Sequence, residues 1–331
     1  MKVSFISLGC AKNLVNTEQM MALCRDAGHT LQEEPAGADV VVINTCGFID
    51  SAKEEAIDTI LSVAALKAEG QVQKILVTGC LTQRYQQEIL TELPEVDGIM
   101  GTGSYGEIVP ALAELMVGGR PCRFADIHGM IDEFDRVLTT PGHYAYLRIA
   151  EGCDNRCAYC KIPDARGHVR SKKIADVVAE ARALTDAGVR EVVLTGIETA
   201  SFGADTGESL CDLLDAVNGI DGIERIRLGS LEPTLMRPAF LDRIAKVGKL
   251  TPHFHLSMQS GSSRTLAAMR RKYNAETAWR NIENTRAALP DVQFTTDFIV
   301  GFPGETDEDF AETMEFARRV GFLATHVFKY S

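Results

Sequence analysis

Apolar residues over the first hundred positions fall into short runs bounded by Gly, Thr and Cys, with longer mixed stretches between them. Residues 3–8, 38–44, 74–77 and 96–100 read as strands. Their near-continuous apolar character marks strands covered on both faces. Helices are expected at about 16–27 (ending at Gly28), at 51–68, from Cys80 to about Leu93, and at 104–117. The second has Asp50 or Ser51 as N-cap and Glu54 and Glu55 in its first turn. Strand–helix alternation of this kind predicts a doubly wound, parallel α/β sheet over residues 1–118. Residues 119–143 have little apolar periodicity and carry Gly119, Pro121, Pro141 and Gly142; they read as a linker.

The same alternation resumes over residues 144–331. Strands are expected near 144–150, 190–195, 225–230, 253–258, 293–300 and 323–329. Helices are expected near 172–187, 207–217, 238–246, 275–288 and 306–319. Six strands with five intervening helices predict a partial (β/α)6 barrel, too short for a closed eight-stranded one.

Composition narrows this picture. The chain has 331 residues, 45% hydrophobic and 24% charged, which suits a globular protein of two domains. No run approaches the roughly 18 apolar residues of a membrane span. No basic segment followed by an apolar stretch opens the chain, so a cytoplasmic protein is expected; a monomer is expected as well. The net charge is −12. Residues 1–147 carry 10 Lys and Arg against 20 Asp and Glu; residues 148–331 carry 24 against 26. An acidic front half argues against a global nucleic-acid footprint and for a basic protein partner.

Nine cysteines, with no export signal, argue against a disulfide framework and for metal or redox chemistry. Cys153, Cys157 and Cys160 are spaced C-x-x-x-C-x-x-C directly after a strand. Three thiolates at such spacing suit an iron–sulfur cluster and leave one iron of a four-iron cluster open. Cys10, Cys46 and Cys80 each fall just beyond a strand, beside Gly. The carboxyl ends of parallel strands lie on one sheet edge, so these three are expected to converge on a second cluster. Buried core thiols would not explain that repeated placement. Cys24, Cys122 and Cys211 read as structural. A closed zinc site needs four ligands, and His168 is the nearest fourth candidate.

Polar, Gly-rich strand ends point to the same barrel rim: residues 195–198, 230–233, 257–261 and 298–305. Two basic groups, Arg264, Arg270, Arg271 and Lys272, and Arg166, Arg170, Lys172 and Lys173, read first as solvated faces and second as phosphate contacts.

The cysteine run after the first barrel strand resembles that of the radical S-adenosylmethionine enzymes. With the three upstream cysteines the resemblance narrows to methylthiotransferases of the MiaB/RimO type and covers residues 3–331. It implies a 4Fe–4S cluster on Cys153, Cys157 and Cys160 whose open iron binds S-adenosylmethionine. It implies an auxiliary 4Fe–4S cluster on Cys10, Cys46 and Cys80 that delivers methylated sulfur to a carbon radical. One electron, from a reducing donor, would cleave the cofactor, and no side chain could break such a C–H bond by acid–base work. Gly196, Glu198, Ser230, Glu232, Gln259, Val300, Gly301 and Glu305 would contact S-adenosylmethionine. Family members usually end in a small β-barrel (TRAM) domain, and none is expected within residues 1–331, so the chain is expected either to be a fragment or to recognise its substrate differently. Residues 8–15, 44–49 and 150–157 are similar to RimO, which modifies an aspartate of small-subunit ribosomal protein twelve. Residues 194–198, 228–233 and 255–261 are similar to MtaB, which modifies threonylcarbamoyladenosine beside the tRNA anticodon. The expected reaction is C–H to C–SCH3, with the ribosomal protein as the favoured substrate and tRNA as the alternative. A non-catalytic iron–sulfur electron-transfer or sensor protein is the rival reading, which formation of deoxyadenosine would exclude.

Overall fold

The computed structural model describes residues 1–129 and 135–331. The chain divides into two compact units, Met1–Thr139 with Lys161–His168, and Thr140–Cys160 with Val169–Ser331.

The first unit runs β1 (Lys2–Ser7), α1 (Ala11–Asp26), β2 (Thr30–Gln32), β3 (Val40–Thr45), α2 (Asp50–Ala68), β4 (Lys74–Gly79), α3 (Cys80–Tyr85), α4 (Gln87–Glu92), β5 (Gly98–Met100), α5 (Ile108–Met116) and β6 (Cys122–Arg123). The six strands pair in parallel in the order β2-β1-β3-β4-β5-β6. Every residue of β3 is buried, because both faces are covered. Val41 and Ile43 pack with Ala56, Ile60 and Val63 of α2. Val40 and Val42 pack with Met20 and Cys24 of α1 and with Ile108 and Leu112 of α5. This is the expected doubly wound sheet. Its connections diverge at β1: α1 leads to β2 on one side, and the chain then returns to β3 on the other. A crevice outside the strand ends forms where connections diverge in this way.

Three features differ from the expectation. The polar strand β2 has no apolar run to reveal it. The helix from Cys80 breaks at Gln86, whose φ is +41°. The stretch 119–143 is not a free linker: β6 extends the sheet, and the first unit reaches Thr139. The physical cause is Glu18 of α1, which is fully buried and must be neutralised. Arg136 pairs with it at 2.6 Å, and the N–H and hydroxyl of Thr139 donate to it at 2.8 and 2.9 Å. Residues 130–134 of that stretch lie outside the described residues.

The second unit runs β7 (Tyr144–Arg148), β8 (Ala150–Glu151), β9 (Arg170–Ser171), α7 (Ile174–Asp186), β10 (Glu191–Thr195), α8 (Leu210–Asn218), β11 (Arg225–Leu228), α9 (Pro238–Ile244), β12 (His253–Gln259), α10 (Ser263–Ala268), α11 (Ala275–Ala288), β13 (Gln293–Val300), α12 (Asp307–Val320) and β14 (Ala324–Lys329). The intervening short helix α6 (Ile162–Arg166) belongs to the first unit. Parallel sheets β7-β10-β11 and β12-β13-β14 are joined by parallel bridges from Ile226 to Leu250 and from Leu231 to Leu256. Six strands therefore follow one another in sequence order, as a partial β/α barrel requires. Helix starts are secured locally: Ser209, Asn274 and Thr306 each accept a backbone N–H as N-cap, and Thr306 with Asp309 closes a capping box. Among the described residues, no helix is long and apolar enough to cross a membrane.

Candidate metal centres and the adjoining acidic pocket

The first three-cysteine set is built on the carboxyl edge of β1, β3 and β4. Cys10 caps α1, Cys46 follows β3, and Cys80 opens α3. Their thiols sense one another's charge, so the three converge. Glycine is needed for that approach. Gly9 has φ +85°, and a Cβ on it would lie 2.6 Å from Cβ of Cys46. Gly79 has φ +103°, and a Cβ there would lie 2.4 Å from the carbonyl oxygen of Thr45. Both positions are left-handed backbone that side chains rarely tolerate.

A buried polar network holds these loops. Asn13 Nδ2 donates to the carbonyls of Leu8 and Thr45, both at 3.0 Å. Asn44 Nδ2 donates to the Asn13 carbonyl at 2.9 Å and to Thr17 Oγ1 at 3.0 Å. Arg166 of α6 is fully buried; its Nε donates to Cys80 Sγ at 3.3 Å, and its other nitrogens reach Asn13 and Asn16. Burial pushes the Cys46 and Cys80 thiols up, with Arg166 opposing. Burial also works upward on Cys10, but the charges of Lys12 and Arg166 and two backbone N–H donors outweigh it and hold it below the usual range.

The second set sits in the loop after β8. The Asn155 N–H donates to Cys153 Sγ at 3.4 Å, and the Ala158 N–H anchors the loop to the Met269 carbonyl at 3.0 Å. Burial pushes Cys153 up to about 12, and Glu198, Cys160 and Cys157 add to this. A thiol in such surroundings stays protonated until a cation takes its place. Arg271, a buried side chain, donates to Cys157 Sγ at 3.3 Å, pairs with Glu232 at 2.9 Å and reaches the Tyr159 hydroxyl at 3.4 Å.

Asn155 Nδ2 donates to Glu198 at 2.8 Å and to Glu232 at 3.4 Å. These side chains open onto a cavity of about 470 Å³ also lined by Arg237, Lys272 and Arg280. Burial, then the nearby Glu232 charge, raises Glu198 to about 7, with Arg271 opposing. The cavity thus sets two buried carboxylates, one of them paired with Arg271, among the basic side chains of Arg237, Lys272 and Arg280.

The donor sets fit clusters better than single ions. Among the described residues, only one trio of His, Cys, Asp or Glu brings its ligand atoms within 4.8 Å of one another, and neither cysteine set is that trio. A tetrahedral zinc with Zn–S near 2.3 Å holds its sulfurs about 3.8 Å apart. His168 stacks on His128 at 4.6 Å in the first unit. The wider spacing of the thiols suits a cluster, whose cysteines stand on different irons.

The other residues singled out from sequence divide. Glu198 and Glu232 come together at the cavity. Gly196 follows β10 against Ala150, and Gln259 ends β12 with φ +68°. Ser230 is half-buried just after β11. Gly301 and Glu305 sit together after Val300, where Glu305 Oε2 accepts the Gly301 N–H at 2.6 Å and the Phe302 N–H at 3.3 Å. The basic groups are not solvated faces throughout. Arg271 and Arg166 are buried against cysteines and Lys172 is buried against Glu180 at 2.7 Å, whereas Arg264 pairs with Asp309 and stays exposed. Sequence reading missed Asn13, Asn155 and Arg271 as site residues. The signal available was their closeness to cysteines or to a strand end, which alone does not separate them from turn chemistry. Cys24 is a core thiol, Cys122 lies exposed on β6, and Cys211 is half-buried.

Residues 147–317 match the radical SAM superfamily, and residues 2–101 match an uncharacterised protein family, UPF0004. In fold, the chain is similar to the radical S-adenosylmethionine methyltransferase TsrM of Kitasatospora setae. The TM-score is 0.71 at 14% identity, covering 99% of this chain and 72% of that one. A cobalamin-dependent radical enzyme, OxsB, aligns with TM-score 0.61 at 13% identity over 98% of this chain and 53% of its own. The family match over residues 147–317, more than half of the chain, thus places it among the radical S-adenosylmethionine enzymes. Over the whole chain it is 43% identical to the ribosomal protein uS12 methylthiotransferase RimO of Symbiobacterium thermophilum, covering 69% of that protein. It is 40% identical to the RimO of Clostridioides difficile, covering 75% of that one. This chain belongs to the RimO-type radical S-adenosylmethionine methylthiotransferases, enzymes that use S-adenosylmethionine and two 4Fe–4S clusters.

Proposed function

We propose that this enzyme methylthiolates an aspartate of the small-subunit ribosomal protein uS12, in the cytoplasm, as a monomer supplied with electrons by a reducing donor. The observation that carries the substrate is the 40–43% identity to uS12 methylthiotransferases along the whole chain, barrel strands included. The acidic first 147 residues, net −10 from 10 Lys and Arg against 20 Asp and Glu, complement a basic ribosomal protein.

Cys153, Cys157 and Cys160 would hold the cluster that binds S-adenosylmethionine, and Cys10, Cys46 and Cys80 the auxiliary cluster. When bound, these groups supply the radical that removes hydrogen and the methylated sulfur that replaces it. The chain's own work is placement. Asn155 ties the cysteine loop to Glu198 and Glu232. That acidic pair suits a ligand carrying an ammonium and a sulfonium. Arg271 neutralises Glu232 and donates to Cys157, which keeps the pair from repelling the cluster's thiolates. Gly196, Ser230 and Gln259 would give the cofactor a close backbone approach. Val300, Gly301 and Glu305 would form its far wall, with Glu305 fixing the turn.

The test is product analysis. Reconstituted enzyme is incubated separately with uS12 and with tRNA, and each is searched by mass spectrometry for an added methylthio group. The group is expected on uS12 alone; its appearance only on tRNA would overturn the substrate assignment.

A further inference from the structure

We propose that His255, Asp297 and His326, none of them a member of either cysteine set, form a binding site for one divalent first-row transition-metal ion. They lie on three adjacent parallel strands, β12, β13 and β14, with Thr295 opposite His255 and His326 opposite Asp297. Strand alternation puts His253, His255, Thr295, Asp297 and His326 on one face. On the other face Phe254, Leu256, Phe294 and Phe298 are buried, and Arg286 of α11 stacks over Phe294. The trio therefore stands on the face turned away from α11.

Its geometry is that of a single-ion site. Asp297 Oδ2 is 3.1 Å from His255 Nε2, and Oδ1 is 3.1 Å from His326 Nδ1. All three ligand atoms lie within 4.8 Å of one another, and no other trio among the described residues does so. Two imidazoles and a carboxylate suit Zn²⁺ or Fe²⁺ and leave further positions open to oxygen ligands such as water or a carboxylate. Metal-binding histidines have their second ring nitrogen held from outside. Here His255 Nδ1 is 3.0 Å from Thr295 Oγ1, which is 3.2 Å from His253 Nε2. This fixes which nitrogen of His255 faces Asp297. Burial works to raise Asp297, but His255 and His326 hold it below the usual carboxylate range, so it is ionised and ready to bind a cation. His326 is 66% exposed, which gives an ion a path in and lets this ligand adjust.

The rival is a closed His–Asp–His hydrogen-bond relay that binds nothing. Equilibrium dialysis of the cluster-loaded holoenzyme against chelator-buffered Zn²⁺ separates the two. One zinc per chain is expected beyond the cluster iron. His326→Ala should weaken that affinity more than about 100-fold with iron and sulfide contents unchanged. Thr295→Val, which keeps all three ligands, should weaken it about 10-fold, the size of an outer-contact effect. His326 is exposed, so its loss leaves the fold intact, and Asp297→Asn gives a second ligand removal. Should some cysteines remain unloaded and take up zinc, the difference between wild type and His326→Ala still isolates this site. Equal zinc uptake by the two, or no zinc beyond the thiols in wild type, would overturn the proposal.

Discussion

Two arginines do at the residue scale what the cysteines cannot do alone. Arg166 and Arg271 are each buried, and each donates to one cysteine sulfur at 3.3 Å. A buried guanidinium beside thiolates offsets their mutual repulsion, and hydrogen bonds to sulfur tune cluster potential. Replacing Arg166 with Ala removes one positive charge and one N–H···S bond from Cys80, a proposed ligand of the auxiliary cluster. The reduced cluster, carrying the extra electron, loses more than the oxidised one. Its potential should therefore fall by roughly tens of millivolts, since a charge-assisted bond is worth about 1.5–3 kcal/mol in total and only the difference between redox states counts. An EPR-monitored redox titration reads this, with Lys at 166 expected to restore part of the shift. The potential of the Cys153 set should stay unchanged. Neither arginine was identifiable from sequence as a cluster contact, because a basic run looks the same whether it is solvated or folded inward.

Between residues and domains, the strand-end loops depend on the elements that carry them. β4 delivers Cys80, and Asp97 holds its start. The Asp97 carboxylate accepts the Ile75 N–H at 2.8 Å and pairs with Lys67 of α2 at 2.5 Å and Lys74 at 3.0 Å. Burial works to raise its pKa, but those donors win and hold it below the ordinary value. A lowered folded-state pKa means stability that is present above the unfolded value near 3.9 and is lost as pH falls through the folded one. Asp97→Asn should cost about 1–3 kcal/mol at pH 7. That cost should shrink steadily as pH falls from about 4 through the lowered folded-state value, below which wild type is protonated as well. Denaturant melts of both proteins at pH 7 and pH 3 check it; a pH-independent difference would refute the charge argument. The strands carrying the cysteines were legible as apolar runs ending in Gly or Thr. The strands β2, β6 and β9 were not, since two or three residues carry no period to detect.

Net charge is a property of the whole molecule, and at −12 it bears on which partner arrives and how fast. Attraction between an acidic enzyme and a basic protein is long-ranged and screened by salt, with a Debye length of about 10 Å at 0.1 M. The apparent second-order rate with uS12 should fall as ionic strength rises from 50 to 300 mM, roughly tenfold or more if encounter is steered. Stopped-flow or initial-rate measurements over that series test it. A flat series would assign recognition to short-range contacts instead.

What the sequence determined by itself was the doubly wound unit, the partial barrel, and the two sets of three cysteines placed just past strand ends. Those follow from local periodicity and from a topological rule: parallel strands put their carboxyl ends on one edge. Only the tertiary structure decided which charges surround those thiols and that Cys122 and Arg123 extend the first unit's sheet. It alone showed Glu18 demanding Arg136, and His255, Asp297 and His326 meeting across three strands. These depend on pairing register and on burial between residues 29 to 118 positions apart. Periodicity reports which face of an element is apolar, not which distant polar groups meet there.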